Sequence, residues 1–428
     1  MTAGAAREVA LEVLRAVVRS RHPLDEALEE VPGLGALESR DRAFVRLLVA
    51  ATLRRLTSID ALIGQCLERP MTARMSDIRD ILRLGVCQLV VLGTPAHAAV
   101  DTAVALAAGC HGGAYRGLVN AVLRRLAREG GALAAAQDRT RLDIPDWLWR
   151  SWRAAYGEDT CRRIAAASLI EAPLDITVRD DPGPWAEALD AEELPTGTLR
   201  RAAGGSVAGL PGFAEGAWWV QDAAAALPAR LLGEVRGRTV ADLCAAPGGK
   251  TAQLAAAGAR VIAVDRSERR LERLGRNLER LRLAAETVAA DAADWQPAEP
   301  VDAVLLDAPC TATGTLRRHP DVLRLKSPRD VAGLMRAQDR LLAAATTFLR
   351  PGGRLVYCVC SLQPEEGPQR VAAALAAGLP LRRVPVAASE VGGLAECLTP
   401  EGDLRTLPFH LAERGGMDAF YAARLERT

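Results

Sequence analysis

The chain has 428 residues, of which 49% are hydrophobic and 25% charged, and a net charge of +1. These values are typical of a soluble globular protein of two or three domains, and they count against a non-specific nucleic-acid binder, though not against a local basic groove. No apolar run approaches the ~20 residues of a membrane helix, and the N-terminus lacks the segments of a signal peptide. Nine cysteines without a CxxC pair indicate reduced thiols and a cytoplasmic protein.

Residues 1–135 are predicted to form an all-helical domain. Apolar residues recur at helical spacing from Ala6 to Val18. Further helices are predicted over 24–30, 39–54, 58–67, 75–91, 97–109 and 114–128. The Gly-Gly pair at 130–131 and the residues to about 140 are interpreted as a linker. Arginines recur along the first and last of these helices, which is typical of a solvated face or, alternatively, of a surface that follows phosphates.

Residues 141–215 are predicted to form a small α+β module. Trp147, Trp149 and Trp152 fall on one predicted helix, where core packing is favoured over base stacking. Residues Leu174 to Arg179 alternate between apolar and polar, which indicates a half-buried strand.

The region 216–428 alternates between strand and helix patterns. Strands are predicted at 239–244, 260–265, 286–290, 302–306, 354–360, 381–386 and near 418–425, and helices at 249–257, 267–283, 329–349 and 364–377. Such a series predicts a Rossmann-like α/β domain with a mostly parallel, doubly wound sheet. Ligands of these sheets bind beyond the carboxyl ends of the strands.

The most informative motif is the glycine-rich turn Asp242-Leu-Cys-Ala-Ala-Pro-Gly-Gly-Lys-Thr251, between a predicted strand and a predicted helix. Gly248 and Gly249 let a ligand approach the backbone closely. Asp265 follows 17 positions after Gly248, near the spacing at which a carboxylate reaches ribose hydroxyls. A phosphate-binding loop would need glycine at Cys244, and the dinucleotide fingerprint is absent. The turn therefore favours a ligand with adenine and ribose but no phosphate chain, of which S-adenosylmethionine is the common one.

Two cysteines and a carboxylate stand at predicted strand ends. One strand ends in Asp307-Ala-Pro-Cys310 and another in Cys360-Ser361. A thiolate that adds to C6 of a pyrimidine makes C5 carbanion-like, so this arrangement beside a methyl donor indicates covalent catalysis. A nearby carboxylic acid can protonate cytosine N3 or hydrogen-bond to it. Cys358 lies nearer the strand interior and is interpreted as packing, whereas the residues alone leave open which of the other two thiols is the nucleophile.

Together these motifs resemble the RNA (cytosine-C5)-methyltransferase family over nearly the whole chain. The matching segments are Val220–Asp222, Cys244–Lys250, Asp307–Cys310, Gly314–Asp321 and Cys360–Gly367. Within the family, Arg317–Asp321 points to the branch that acts on small-subunit ribosomal RNA. Residues 1–135 are similar to the helical RNA-binding fold of the antitermination factor NusB, and residues 141–215 to a small RRM-like module. Residues 216–428 are then the catalytic domain.

The resemblance implies the residues that bind S-adenosylmethionine. Cys244, Ala245, Ala246, Pro247, Gly248, Gly249 and Lys250 would wrap its methionine part. Asp265 would bind the ribose, Asp291 would lie by the adenine, and Asp307 would face both donor and cytosine. Lys250 is one of only two lysines beside 52 arginines. It would orient either Asp307 or the carboxylate of the donor.

The resemblance also assigns the thiols. Cys360 would be the catalytic nucleophile, and Cys310 would help to release the methylated base. Val359 stands where the family usually has threonine, and with Cys358 beside it we expect a drier local pocket.

The sequence therefore predicts a cytoplasmic, monomeric enzyme that methylates C5 of a cytosine in small-subunit ribosomal RNA without a metal ion. The same chemistry on transfer RNA is one alternative. Another is an RNA-binding transcription or assembly factor with a degenerate catalytic domain. The intact Asp307, Cys310, Cys360 and glycine-rich turn speak against that last alternative, because a binding protein needs none of them.

Overall fold

A computed structural model describes residues 3–428, which divide into two compact units. The first unit holds the chain up to Leu169 together with Arg318–Lys326. The second holds Ile170–Arg317 and Ser327–Thr428. Over the described range, no helix combines the length and the apolar character needed to cross a membrane.

The first unit is helical, as predicted. Its helices are α1 Ala3–Val18, α2 Leu24–Glu30, α3 Ser39–Arg54, α4 Leu56–Gln65, α5 Ser76–Val86, α6 Ala96–Ala108, α7 Arg116–Ala135, α8 Arg139–Leu142, α9 Asp146–Tyr156 and α10 Glu158–Ser168. A π-helical segment, Cys87–Val91, follows α5. The apolar faces of α1 to α7 meet in one core, in which Leu14, Leu48, Ile81 and Leu123 are fully buried.

The linker predicted at the 130–131 glycine pair is wrong, because α7 continues through both glycines to Ala135. A Cβ on Gly130 would lie only 2.9 Å from Cγ2 of Val90. Glycine therefore allows α7 to pack closely on the π-helical segment. This contact outweighs the helix propensity of glycine, which is ~1 kcal/mol poorer than that of alanine.

The division between the two compact units falls at Leu169, whereas the sequence analysis ends the first domain at residue 135. The carboxylate of Asp143 explains part of the difference, because it accepts hydrogen bonds from the backbone N (2.9 Å) and hydroxyl of Ser58 in α4. Helices α8 to α10 thus join the first unit. Trp149 and Trp152 of α9 are buried, which confirms that they are core residues, whereas Trp147 is only half-buried.

The segment Arg318–Lys326 belongs to the helical unit although the chain on both sides of it belongs to the other. Asp321 Oδ2 accepts the N–H of Leu24 at 3.1 Å, and Arg324 donates to the hydroxyl of Thr57 at 2.9 Å. His319 Nδ1 lies 3.5 Å from Asp25 Oδ2. Burial lowers the pKa of His319 to about 4, so its imidazole is neutral at physiological pH.

The second unit begins with a small antiparallel sheet of order β2-β3-β1-β4. Its elements are β1 Leu174–Val178, α11 Gly183–Ala188, β2 Glu192–Glu193, β3 Leu199–Arg201 and β4 Trp218–Val220. Strand β1 confirms the strand predicted there, but not its half-buried pattern, because the successive residues Asp175, Ile176 and Thr177 are all buried. A buried bidentate ion pair joins Asp175 to Arg200, with both N–O distances 2.7 Å. Arg200 also donates to the carbonyl of Gly416, which ties the small sheet to the rest of the same unit.

The rest of the second unit is an α/β domain. Its elements are α12 Leu227–Arg230, β5 Thr239–Leu243, α13 Gly249–Ala256, β6 Arg260–Asp265, α14 Glu268–Leu281, β7 Glu286–Ala289, β8 Val301–Asp307, α15 Val322–Leu325 (within the helical unit), α16 Pro328–Phe348, β9 Leu349–Val359, α17 Pro368–Ala376, β10 Leu381–Arg383, β11 Leu404–Arg405 and β12 Tyr421–Arg427.

The large sheet has the order β10-β12-β9-β8-β5-β6-β7, with β11 paired to β12. Strands β5 to β9 are mutually parallel, and β12 runs antiparallel between β9 and β10. The predicted mostly parallel, doubly wound sheet is confirmed. Because β5 lies between β6 and β8, the order reverses at β5, and ligands bind beyond the strand ends at such a point.

We expect Asp321→Ala to destabilise the helical unit. The N–H of Leu24 lies in the first turn of α2, where no intrahelical acceptor exists, and Asp321 supplies one from a buried position. Loss of that acceptor should lower the free energy of unfolding by about 1–3 kcal/mol, measured by urea denaturation with circular dichroism. The control is Glu12→Ala, on an exposed position of α1. Equal stabilities of the two variants would contradict this role.

Candidate active site

The glycine-rich turn runs from Cys244 to Lys250 between β5 and α13. Cys244 has φ +60° and Gly248 φ +103°, both in the left-handed region. A Cβ on Gly248 would lie 2.8 Å from Cγ of Leu274 in α14. Glycine is thus required here by its φ and by helix packing, and not only to admit a ligand. A Cβ on Gly249 would make only ordinary van der Waals contact.

Asp265, the last residue of β6, holds the turn in place. Its Oδ2 accepts the N–H of Ala246 at 3.2 Å, and its Oδ1 accepts the N–H of Ser267 at 3.0 Å. Arg270 adds a second connection, because it donates to the carbonyl of Ala246 and lies 3.4 Å from Asp265 Oδ2. The carboxylate is therefore fixed in orientation before any ligand arrives.

A cavity lies beyond the carboxyl ends of β5, β6 and β7. Three of the predicted donor-binding residues line it: Cys244, Asp265 and Asp291. Its wall also contains apolar side chains, among them Pro309 and Leu341, and the arginines 266, 270 and 340. Ala245 and Ala246 instead turn into the core formed with α14.

Lys250 and Asp307 form a salt bridge, with Nζ 2.8 Å from Oδ2. Lys250 is 8% exposed, and its Nζ also lies 4.9 Å from the centre of the Phe420 ring. Burial lowers the pKa of Lys250, but the Asp307 carboxylate outweighs burial, so the net shift is upward and the ammonium stays charged. Lys250 thus contacts Asp307, one of the two groups that the sequence analysis expects it to orient.

The thiols of Cys310 and Cys360 lie together, with the two Sγ atoms 3.5 Å apart. Cys310 follows β8 and Cys360 follows β9, which is the parallel neighbour of β8. The hydrogen bond shared with Cys360, followed by burial, raises the pKa of Cys310 well above its usual range. Cys310 is therefore a thiol at neutral pH. Asp307 ends the same strand β8, and its carboxylate contacts Lys250 and Cys358.

Cys358 has a contact that the sequence analysis missed. It is fully buried in the core, as predicted, but its Sγ also lies 3.5 Å from Asp307 Oδ1. Burial, and then the Asp307 carboxylate, raise the pKa of Cys358 well above its usual range, so it stays a thiol and donates to Asp307. The register that pairs Asp307 with Cys358 across β8 and β9 produces this contact.

Asp242, inside β5, is a second group that the sequence analysis left without a role. It is fully buried and accepts a hydrogen bond from the hydroxyl of Thr251 at 2.6 Å. Burial raises the pKa of Asp242 to about 7, against the opposing effect of Thr251. Asp242 thus joins the end of β5 to the first turn of α13.

We expect Asp242→Asn to change how stability depends on pH. Because its folded-state pKa is raised from 3.8 to about 7, the folded protein holds this proton more tightly than the unfolded chain. The resulting stabilisation is fully present below the unfolded pKa and is lost as pH rises through the folded one. Asparagine stays neutral, so the stability of Asp242→Asn does not carry this pH dependence. The free energy of unfolding of the wild type should therefore fall relative to that of Asp242→Asn between pH 5 and pH 8. Urea denaturation at both pH values measures it, with exposed Asp180→Asn as control. If the two proteins differed in free energy of unfolding by the same amount at both pH values, the raised pKa of Asp242 would be refuted.

The chain resembles known proteins along its whole length. Residues 229–426 match the family model described as 16S rRNA methyltransferase RsmB/F, and residues 4–128 match the NusB family. A ribosomal RNA small subunit methyltransferase B from Pseudomonas putida is 37% identical, with 98% of each chain covered. The protein of the same name from Xanthomonas campestris is 38% identical, with 87% of each covered.

Solved structures share the fold. The crystal structure of PH0851 superposes with a TM-score of 0.77 at 22% identity, over 100% of this chain and 99% of the other. A methyltransferase homologue from Pyrococcus horikoshii gives a TM-score of 0.54 at 25% identity, over 69% and 97%. Because the similarity to the curated relative from Pseudomonas putida covers 98% of both chains at 37% identity, the chain belongs to the family of ribosomal RNA small subunit methyltransferase B.

Proposed function

We propose that this protein transfers a methyl group from S-adenosylmethionine to C5 of a cytosine in small-subunit ribosomal RNA, through a covalent bond between Cys360 and C6. The observation that carries the proposal is the pair of sulfurs 3.5 Å apart, which follow the neighbouring strands β8 and β9. Strand β8 itself ends in the Asp307 carboxylate, which Lys250 holds. Two thiols and an acid serve the addition, protonation and elimination that methylation at C5 requires. The names of the curated relatives support small-subunit ribosomal RNA over transfer RNA.

The cavity fits the adenosine part of the donor. We assign the carboxylate of Asp265, which lines the cavity, to the ribose hydroxyls of the donor, because its oxygens have lone pairs beyond those that accept the two backbone N–H groups. Apolar Pro309 and Leu341 suit the faces of an adenine, with Asp291 at its edge. Residues Cys244–Lys250 are assigned to the methionine part. When bound, the donor supplies an electrophilic methyl group on a sulfonium.

Cys360 begins the reaction by attacking C6 as a thiolate. The proton that Cys360 loses on becoming a thiolate passes to Asp307 and from Asp307 to N3 of cytosine, so that the electrons pushed in by the sulfur collect at C5. The carboxylate left on Asp307 is stabilised by Lys250 at 2.8 Å. After C5 has taken the methyl group, loss of its proton restores the C5–C6 double bond and frees Cys360, with Cys310 assisting the release.

The reaction needs no metal ion, because a thiol supplies the nucleophile and the donor supplies the methyl group. We further propose that the protein acts as a cytoplasmic monomer. The NusB-like helical unit and the small RRM-like sheet are assigned to RNA binding. With these assignments, the methyl transfer itself takes place in the α/β domain.

Bisulfite sequencing of small-subunit ribosomal RNA tests the function. A strain without this gene should lose methylation at a cytosine that the wild-type gene restores and Cys360→Ala does not. If every cytosine of that RNA kept its methylation in the deletion strain, the substrate would be wrong. A loss in transfer RNA would then favour the alternative.

The two cysteines should give opposite results in a methylation assay. We expect Cys360→Ala to abolish turnover without an adduct, and Cys310→Ala to trap a covalent protein–RNA adduct, because only release is blocked. Denaturing gel electrophoresis with labelled RNA detects the adduct. An adduct in Cys360→Ala and none in Cys310→Ala would reverse the assignments.

Replacement of Lys250 should slow methyl transfer. Lys250→Met removes the cation that stabilises Asp307, and we expect a loss of roughly tenfold or more in kcat, or about 1.4 kcal/mol of barrier. Lys250→Arg should not restore the rate, since a planar guanidinium replaces a compact ammonium in a buried site. The matched control is Lys326→Met at the only other lysine. A wild-type rate in Lys250→Met would remove it from the mechanism.

A further inference from the structure

Glu366 lies in the loop between β9 and α17, and its carboxylate is fully buried. Its Oε1 accepts the N–H of Thr311 at 2.8 Å. Its Oε2 accepts the hydroxyls of Thr311 and Ser361, both at 2.5 Å. Gln338 of α16 donates to Oε1 at 3.4 Å. A buried carboxylate with so many donors is organised around its charge rather than placed there for packing.

The two residues that Glu366 joins are the immediate neighbours of the two cysteines. Thr311 follows Cys310, and Ser361 follows Cys360. On the other side of the pair, the N–H of Ala308 donates to the carbonyl of Cys358 at 2.9 Å, which continues the pairing of β8 and β9. The two chain segments that carry the thiols are thus joined twice. A backbone hydrogen bond joins them on the N-terminal side of the cysteines, and the Glu366 carboxylate joins them on the C-terminal side.

Other groups fix the residues around this carboxylate. Tyr357 of β9 donates to the carbonyl of Glu366 at 2.5 Å, and Arg405 donates to the carbonyl of Ser361 at 2.6 Å. The Thr313 hydroxyl lies 3.2 Å from that of Ser361. Because these contacts leave the loop little freedom, a change at the carboxylate should be felt at the sulfurs.

The charge of Glu366 also acts on one thiol. After the hydrogen bond with Cys360 and after burial, it contributes to the raised pKa of Cys310. This upward shift of the Cys310 pKa agrees with the geometry, since the Glu366 charge and the contact with Cys360 both favour the protonated form of Cys310.

We propose that Glu366 is a positioning residue for release of the methylated base: by joining Thr311 to Ser361, its carboxylate holds the Cys310 thiol against the Cys360 sulfur. This inference rests on the proposed function. In the release step, the C5–H bond breaks and its electrons form the C5–C6 double bond, while the electrons of the C6–S bond return to Cys360. Cys360 takes the proton of the Cys310 thiol, and the proton from C5 replaces it on Cys310, so both thiols are restored.

The test is Glu366→Gln, which keeps the size of the side chain and removes its charge. The control is Glu299→Gln, an exposed carboxylate of the same unit. Three quantities are measured: kcat, the fraction of protein trapped as a covalent adduct with RNA, and the Kd for S-adenosylmethionine. We expect kcat to fall by roughly a hundredfold, the effect of a reacting group misplaced by about 1 Å. The adduct should accumulate as in Cys310→Ala, while the Kd and the control stay at wild-type values.

A second variant guards against misfolding of the first. Thr311→Val keeps the shape and the backbone N–H but removes one hydroxyl from Oε2. It should show a smaller loss in kcat with the same accumulation of adduct. In the double variant Glu366→Gln with Cys310→Ala, the adduct should not exceed that of Cys310→Ala alone, because the two changes block one step.

Wild-type kcat in both folded variants would overturn the inference, and so would a loss of turnover without adduct, which would place the defect before release. A residue that only maintained the fold would weaken donor binding and adduct formation together. Failure of the proposed function has a different signature: the wild type would transfer no methyl group to cytosine, or Cys310→Ala would trap no RNA.

Discussion

The candidate site depends above all on the parallel pairing of β8 with β9. Its register sets Asp307 opposite Cys358. The chain leaves both strands at the same edge of the sheet, so Cys310 and Cys360 emerge side by side although 50 residues separate them. Backbone hydrogen bonds between two central strands are among the least deformable contacts of a protein, and they hold the sulfurs at a distance that flexible loops alone would not maintain.

The second constraint is the burial of charge. Taking an ammonium or a carboxylate out of water is costly unless the partner is close and the remaining hydrogen bonds are made. Lys250 and Asp307 meet this condition with each other, and Cys358 occupies the second oxygen of Asp307. Glu366 meets it with hydroxyl and backbone donors. The site therefore holds its charges in fixed orientations before substrate binds, which is how electrostatic stabilisation of a transition state avoids reorganisation.

The helical unit includes a segment that comes from the catalytic half of the chain. Arg318–Lys326 lies in sequence between Cys310 and α16, and yet it packs with the helices. Its buried carboxylate, Asp321, accepts a backbone N–H at the start of α2. The helical unit is thus completed by residues from the catalytic half of the chain, and neither part is a simple segment that could be cut at one point of the sequence.

Much of the fold and of the site was predictable from the sequence, because the signals are local. Apolar periodicity identifies the helices up to α7 and the strands from β5 onward except the two-residue β11. The turn at Asp242–Thr251 and the thiols at strand ends identify the chemistry by residue type. The nucleophile itself was assigned only through family resemblance. Three features depended on contacts between residues distant in sequence. Helix α7 continues through its glycines because it packs on Val90, and α8–α10 join the helical unit through Asp143. The third feature is the connection that Glu366 makes between Thr311 and Ser361. Lys250 shows the difference most clearly. Its place in the turn is a property of the sequence, but its choice of Asp307 as partner follows from β5 and β8 being neighbours, which only the tertiary structure decides.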